Sequence, residues 1–252
     1  MNLSNVTIAI TTFLRPGYLK QALVGCLNNF PECPRIVAVD DGGYTPVADW
    51  AHSLLPVVLP FDSGLTAKRN AAVKFTKTPY VLMASDDYDF RAPYVRAGVE
   101  RLIATLDAHP EISVAVGTFN RKWYQGFLEY EPGKYIKEIP LQRDTMPTYT
   151  KPYPAFKVDI GINYFVARTA ALCECPWDES IRPIGGEHAD WFLSLKKQRK
   201  VVVWVPDCYI ESMLPNEKWQ HSGYRDYRRR AHLGHEIFLK KWSVANYIEG
   251  LQ

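Results

Sequence analysis

Three carboxylates fall within four positions, Asp86-Asp87-Tyr88-Asp89, one residue (Ser85) after the apolar run Tyr80-Val81-Leu82-Met83-Ala84. Carboxylates this close repel one another, and solvent or a cation must relieve the repulsion. At the end of a buried strand solvent is partly excluded, so an oxygen-liganded divalent ion is the natural relief. Open α/β sheets also bind their ligands at the carboxyl ends of strands. Residue type and position together describe a metal site for a phosphate-bearing substrate.

Three further groups occupy comparable positions. Thr11-Thr12-Phe13-Leu14-Arg15 closes the β-rich run that begins at Val6. Asp40-Asp41 follows the next apolar run, and its acceptor oxygens suit a base imide N–H or ribose hydroxyls. In Ser63-Gly64-Leu65-Thr66-Ala67-Lys68-Arg69-Asn70, Gly64 lets the backbone approach a ligand. The helix start there favours anions, and Lys68 and Arg69 add cations. Singly, Asp-Asp-Gly-Gly is a common turn and a Lys-Arg pair is usually a solvated face. Their joint order and spacing argue for one ligand site.

A fifth group is Gly185-Gly186-Glu187-His188-Ala189-Asp190. Glu187 and Asp190 are three apart at the start of an expected helix, so their side chains point the same way. Asp190 first, then Glu187, are the candidates for a general base, with His188 as base or orienting group. The bland alternative is that the two carboxylates cap the helix and complement its dipole.

The elements that must position these groups alternate through the first half. Strands are expected at Val6–Thr12, Arg35–Val39, Leu54–Leu59, Tyr80–Ala84 and Ile112–Phe119. Helices are expected after Pro16, after a Ser63 cap, and from Pro93 to Ala108. That order implies a mainly parallel sheet flanked by helices. From 121 to 156 aromatics mix with prolines, which reads as one or two strands and a Pro-stiffened loop. Trp123, Tyr124, Trp177 and Trp191 are candidates to stack on a sugar, though core packing is the default. One strand over Val158–Ala167, a helix over His188–Gln198 and a strand over Val201–Val205 follow. The end from Tyr224 reads as a basic helix: Arg225, Arg228, Arg229, Arg230, Lys240, Lys241.

The 252 residues fit one large α/β domain better than two small ones. A net charge of +3 neither demands nor forbids nucleic acid as a partner. Five cysteines without paired spacing, no signal-peptide pattern and no long apolar run suggest reduced thiols in the cytoplasm and no transmembrane segment.

From about Val6 to Ile210 the chain resembles family 2-type glycosyltransferases of the GT-A (Rossmann-like α/β) fold. The resemblance rests on the Thr-x-x-x-Arg start, Val39-Asp40-Asp41-Gly42, Gly64-x-x-x-Lys68-Arg69-Asn70, the DxD-type cluster and Glu187-His188-Ala189-Asp190-Trp191-Phe192. The last is similar to the branch that includes animal β-1,4-N-acetylgalactosaminyltransferases, with His188 where the family usually has Asp. The resemblance implies a single GT-A domain over 1–252. Within it, 1–119 is a nucleotide-binding half, 120–220 an acceptor-side half and 221–252 a basic helical segment.

By that resemblance a nucleotide-sugar donor, a UDP-sugar, would be held by Thr11, Thr12, Arg15, Asp40, Asp41, Gly64, Lys68, Arg69 and Asp86. Mn²⁺ or Mg²⁺ would be held by Asp87 and Asp89, with His221 as a late ligand. The DxD match has two registers, both containing Asp87. The implied reaction moves a sugar, with inversion, to a glycan or glycoconjugate hydroxyl. A rival within the fold is glycosylation of a modified DNA base, using the basic segment and the aromatic loop. A rival outside it is nucleotidyl transfer, which would want a Gly-rich phosphate loop where Thr11–Arg15 stands.

Overall fold

A computed structural model of the chain describes residues 3–43, 53–120, 122 and 124–251. Trp123, a sugar-stacking candidate, lies outside the described residues. The first half runs β1 (Val6–Thr12), α1 (Pro16–Asn29), β2 (Arg35–Asp40), β3 (Leu54–Val58), α2 (Leu65–Lys74), β4 (Tyr80–Ser85), α3 (Pro93–Ala108) and β5 (Ile112–Phe119). The second half holds β6 (Gly126–Glu131), β7 (Tyr135–Pro140), β8 (Phe156–Val158), β9 (Phe165–Arg168), α4 (Thr169–Glu174) and α5 (Glu187–Lys197). It ends with β10 (Val201–Ile210), α6 (Gly223–Arg229), α7 (Ala231–Trp242) and β11 (Asn246–Ile248).

Eight strands form one mixed sheet in the order β3-β2-β1-β4-β9-β5-β10-β8. β3, β2, β1 and β4 are parallel, whereas β9 runs antiparallel to both β4 and β5. Every residue of β1 is buried, as a strand covered on both faces requires, and its aliphatic and Thr residues suit that setting. Register then does the positioning. Thr11 stands beside Val39 on one side and Ser85 on the other, and Thr12 beside Asp40. The ends of β1, β2 and β4 therefore emerge at one edge, carrying their motifs with them.

α3 buries Val95, Val99, Leu102, Ile103 and Leu106, spaced to form one face, and packs on β5 and β10. Each such side chain contributes about 1.5–3 kcal/mol when fully buried. That burial lets the helix begin at Ala92-Pro93 without a side-chain cap.

Three local expectations are revised. Val158–Ala167 is two strands rather than one, because the chain breaks near Gly161. A Cβ there would lie 2.6 Å from the Val116 side chain. Ser63 does not cap α2; its hydroxyl donates to the Pro60 carbonyl at 2.7 Å, and Gly64 is the N-cap residue. The C-terminal stretch is not helical throughout: β11 joins β7 and β6 in a second, three-stranded sheet. Trp177 and Trp191 are core residues, stacked on each other with centroids 4.5 Å apart. No helix among the described residues is long and apolar enough to cross a membrane.

Candidate active site

Asp86, the first residue beyond β4, is fully buried and bound on both oxygens. Thr12 Oγ1 donates to Oδ2 at 2.6 Å, Arg15 Nε donates to the same oxygen at 3.1 Å, and Arg15 Nη2 donates to Oδ1. Arg15 also reaches Asp87, with Nη1 3.0 Å from Oδ2. Burial pushes the Asp86 carboxyl up to about 6, against the pull of Arg15. Burial also works to lower the Arg15 pKa, but Asp86 and Asp87 outweigh it and hold the guanidinium above its ordinary value.

Asp41, beyond β2, meets the start of α2. Its Oδ2 accepts the Gly64 N–H at 2.8 Å and its Oδ1 accepts Lys68 Nζ at 2.5 Å. The same ammonium donates to the Thr12 carbonyl at 3.0 Å, so β1, β2 and α2 share one cation. Burial raises the Asp41 pKa and lowers that of Lys68, each offset by the partner. Asp40 is fully buried and accepts the Gly42 N–H at 2.8 Å.

Thr11, Thr12, Arg15 and Lys68 line a cavity of about 90 Å³, and Tyr224, Tyr227 and Arg228 of α6 line it from the C-terminal segment. Arg15 lies over the Tyr224 ring, 4.7 Å from its centroid.

A larger cavity of about 380 Å³ is lined by Arg69, Tyr88, Asn163, Glu187 and His188, among others. Asn163 lines the smaller cavity as well, so one residue borders both. One residue of helix turns the chain by about 100°, which sends Lys68 to the small cavity and Arg69 to the large one. Arg69 is 3% exposed and makes no hydrogen bond among the described residues, with Nε wholly buried. Burial lowers its pKa, and Glu187 is the largest charge opposing that shift.

Glu187 opens α5 and accepts the Gly185 N–H at 2.6 Å. Gly185 and Gly186 have φ of 107° and 79°, a region that favours glycine. The next residue, His188, packs against Phe192 and bonds the Gly161 carbonyl through Nε2. A carbonyl can only accept, so Nε2 carries the hydrogen and Nδ1 is the basic nitrogen. Burial lowers the His188 pKa, with Arg69 adding to the effect.

The structure separates Asp190 from these two. Its Oδ1 accepts Trp242 Nε1 at 2.8 Å and its Oδ2 accepts Lys241 Nζ at 3.0 Å; the residue is 2% exposed. It lines neither cavity. Asp190 thus ties α5 to α7, although sequence spacing ranked it first as a base.

The expected ligand set is also not gathered. Asp89 is bound by Arg91, with Nε to Oδ1 and Nη2 to Oδ2 both at 2.7 Å. His221 Nδ1 accepts the Gly223 N–H at 3.1 Å, and the ring lines a separate pocket with Leu14 and Gly42. Among the described residues no three His, Cys, Asp or Glu side chains are grouped to hold a metal ion. Asp87 remains, 32% exposed, with Oδ1 making no hydrogen bond among the described residues.

Asn163, Glu138 and Leu251 also line the large cavity and escaped the sequence reading; none sits in a motif whose spacing points to chemistry. The basic run is mostly paired: Arg225 with Glu217 at 3.0 Å, Arg229 with Asp226 at 3.1 Å and Arg230 with Asp62 at 2.5 Å.

The model of glycosyl transferase family 2 matches residues 7–165, which contain all four strand-end motifs. The chain is 31% identical over 199 residues to human beta-1,4 N-acetylgalactosaminyltransferase 1, covering 75% of this chain and 35% of that protein. It is 30% identical over 189 residues to the mouse beta-1,4 N-acetylgalactosaminyltransferase 2, with the same coverages. The chain thus spans about a third of the length of these relatives, 35%. Among solved structures it is similar to GalNAc-T7 with UDP, GalNAc and Mn²⁺, with TM-score 0.61 and 12% identity over 84% of this chain and 43% of that one. S. aureus TarS 1–349 gives TM-score 0.54 and 15% identity over 82% of this chain and 60% of that one. At such identities the likeness carries the fold alone, which is GT-A.

Proposed function

The chain belongs to glycosyl transferase family 2, and from that premise we propose that it moves a sugar from a UDP-sugar to an acceptor hydroxyl, with inversion at the anomeric carbon. The observation that carries this reading is the pair of cavities that Asn163 borders on both sides. On one side stand groups suited to a nucleoside and its phosphates. On the other stand a carboxylate, an imidazole and a guanidinium whose Nε has no hydrogen-bond partner among the described residues, where a sugar and its acceptor would meet.

In this reading Thr11, Thr12, Arg15, Asp40, Asp41, Gly64, Lys68 and Asp86 hold the nucleoside end. Arg69 faces the leaving diphosphate, because a cation in a dry site is most effective where charge develops. Glu187, rather than Asp190, takes the acceptor proton, with His188 Nδ1 as the second candidate. A single base facing an in-line displacement suits inversion.

A divalent cation fits the carboxylate cluster in a limited form. Mg²⁺ is commonly held by one or two carboxylates together with substrate phosphates, and Asp87 Oδ1 is a hard oxygen with no protein partner among the described residues. When bound, Mn²⁺ or Mg²⁺ would supply Lewis-acid stabilisation of the leaving diphosphate.

The division into a nucleotide half over 1–119, an acceptor half over 120–220 and a C-terminal segment over 221–252 belongs to the same proposal. A glycan or glycoconjugate is the acceptor favoured here. The ion pairs of Arg225, Arg229 and Arg230 leave the basic segment poorly suited to nucleic acid. The cysteines at 26, 33, 173, 175 and 208 are unpaired, which suits the reducing cytoplasm.

The names of the relatives make UDP-N-acetylgalactosamine the first donor to test. UDP release from a panel of UDP-sugars, with and without candidate glycans, should be detected for the wild type. It should fall about 10²–10⁴-fold in Glu187→Gln. Full activity in Glu187→Gln would remove that residue as base, and a product keeping the donor's anomeric configuration would remove inversion.

A further inference from the structure

We propose that residues Tyr247–Leu251 form the outer wall of the large cavity, with Leu251 limiting which acceptor enters and Glu138 as the residue that positions the wall. The inference rests on the two-cavity reading above.

Glu138, on β7, is 9% exposed and lines the cavity. No Lys or Arg pairs with it among the described residues; its oxygens are occupied by the tail instead. Oε1 accepts the Tyr247 hydroxyl, and Oε2 accepts the N–H groups of Gly250 at 3.0 Å and Leu251 at 3.2 Å. Hydrogen bonds to an ionised acceptor are about twice as strong as neutral ones. The tail needs them, because β11 is only three residues long and pairs with β7 alone. The approach is so close that a Cβ on residue 250 would collide with the Glu138 carbonyl oxygen. A buried carboxylate is thereby spent on holding a short tail against the cavity.

The lining explains what the wall is for. Leu251, Phe119, Tyr124 and Tyr88 supply apolar and aromatic lining to the cavity. Arg69, Asn163, Glu187 and His188 supply polar lining. A pyranose ring has the same two characters, a C–H face and a rim of hydroxyls, and aromatic rings suit the former. Residues 247–251 lie beyond residues 7–165, the span of the family model.

A wall that fits an acceptor also excludes water. Water can replace the acceptor in the same displacement. Its oxygen bonds to the anomeric carbon as the carbon–oxygen bond to the diphosphate breaks, its proton goes to the base, and UDP leaves.

The test measures UDP release from UDP-N-acetylgalactosamine, UDP-N-acetylglucosamine, UDP-galactose and UDP-glucose without acceptor, beside UDP affinity by calorimetry. The proteins are the wild type, Leu251→Ala, Gly250→Ala and Glu138→Ala. Gly250→Ala dislodges the tail while keeping the carboxylate, and Leu251→Ala removes the wall while keeping the tail bonds. The proposal expects hydrolysis to rise about threefold or more in both, with UDP affinity unchanged. Unchanged or absent hydrolysis in both variants, with UDP affinity intact, overturns the wall and leaves the two-cavity reading standing. A wild type that binds no UDP overturns that reading, and the wall with it.

Discussion

Lys68 Nζ lies 2.5 Å from Asp41 Oδ1, with the two side chains 2% and 0% exposed. The pair locks the start of α2 to the end of β2. Breaking a buried pair by removing one partner typically costs about 3–5 kcal/mol, because the other charge is left uncompensated. Lys68→Met is therefore expected to lose stability on that scale in urea unfolding. Lys68→Met with Asp41→Asn should recover part of the loss. Equal stability of Lys68→Met and wild type would contradict the pairing.

Glu187 and Asp190 are expected to part company. Asp190→Ala strands the Trp242 indole N–H and leaves Lys241 with Asp178 as its one carboxylate partner among the described residues, and should lower stability by about 1 kcal/mol. Glu187→Gln should leave stability and UDP affinity close to wild type while kcat falls. The opposite assignment, with Asp190→Asn losing kcat at unchanged stability, would restore Asp190 as base.

His188 makes stability pH-dependent. Its pKa is lowered in the fold from the ordinary histidine value of 6.5, first by burial and then by Arg69. As pH falls below 6.5 the unfolded chain takes up a proton that the folded chain refuses, so stability rises with pH across that window. The difference between wild-type and His188→Gln melting curves from pH 8 to pH 5 should show this loss, because Asp86, raised to about 6, works in the opposite direction over the lower part of that range. A wild-type slope matching that of His188→Gln would rule out the buried neutral imidazole as its source.

Arg69 should trade stability for turnover. A buried guanidinium whose Nε has no hydrogen-bond partner among the described residues, and which rests on the Trp177 ring 5.5 Å away, is costly to keep. Arg69→Met is expected to melt at the wild-type temperature or higher while kcat drops. A lower melting temperature with normal turnover would make Arg69 structural.

What the sequence disclosed follows from where its signals come from. Thr11–Arg15, Asp40-Asp41, Gly64–Lys68 and Asp86-Asp87 each follow an apolar run or open a helix, so their positions at one sheet edge could be read from order alone. The reach of Arg15 to Asp86, 71 residues away, could not, since it depends on β1 pairing with β4. Asp190 misled because a spacing of three puts two carboxylates on one helix face without saying what packs against each. Lys241 and Trp242 supply that answer from α7. β11 left no pattern because three residues carry no periodicity, and its place is set by its pairing with β7 and the bond from Tyr247 to Glu138. Ser63 illustrates competition, its hydroxyl being taken by the Pro60 carbonyl before it could cap.

The most direct test of a metal-assisted UDP-sugar site is calorimetric titration of UDP, with GDP as control, into wild type and Asp87→Ala. Each is measured in Mn²⁺ and again in EDTA. UDP is expected to bind the wild type in Mn²⁺, with GDP weaker, and binding should be lost in EDTA and in Asp87→Ala. UDP binding that is equally tight in EDTA and in Asp87→Ala, or no binding of either nucleotide, would contradict the account.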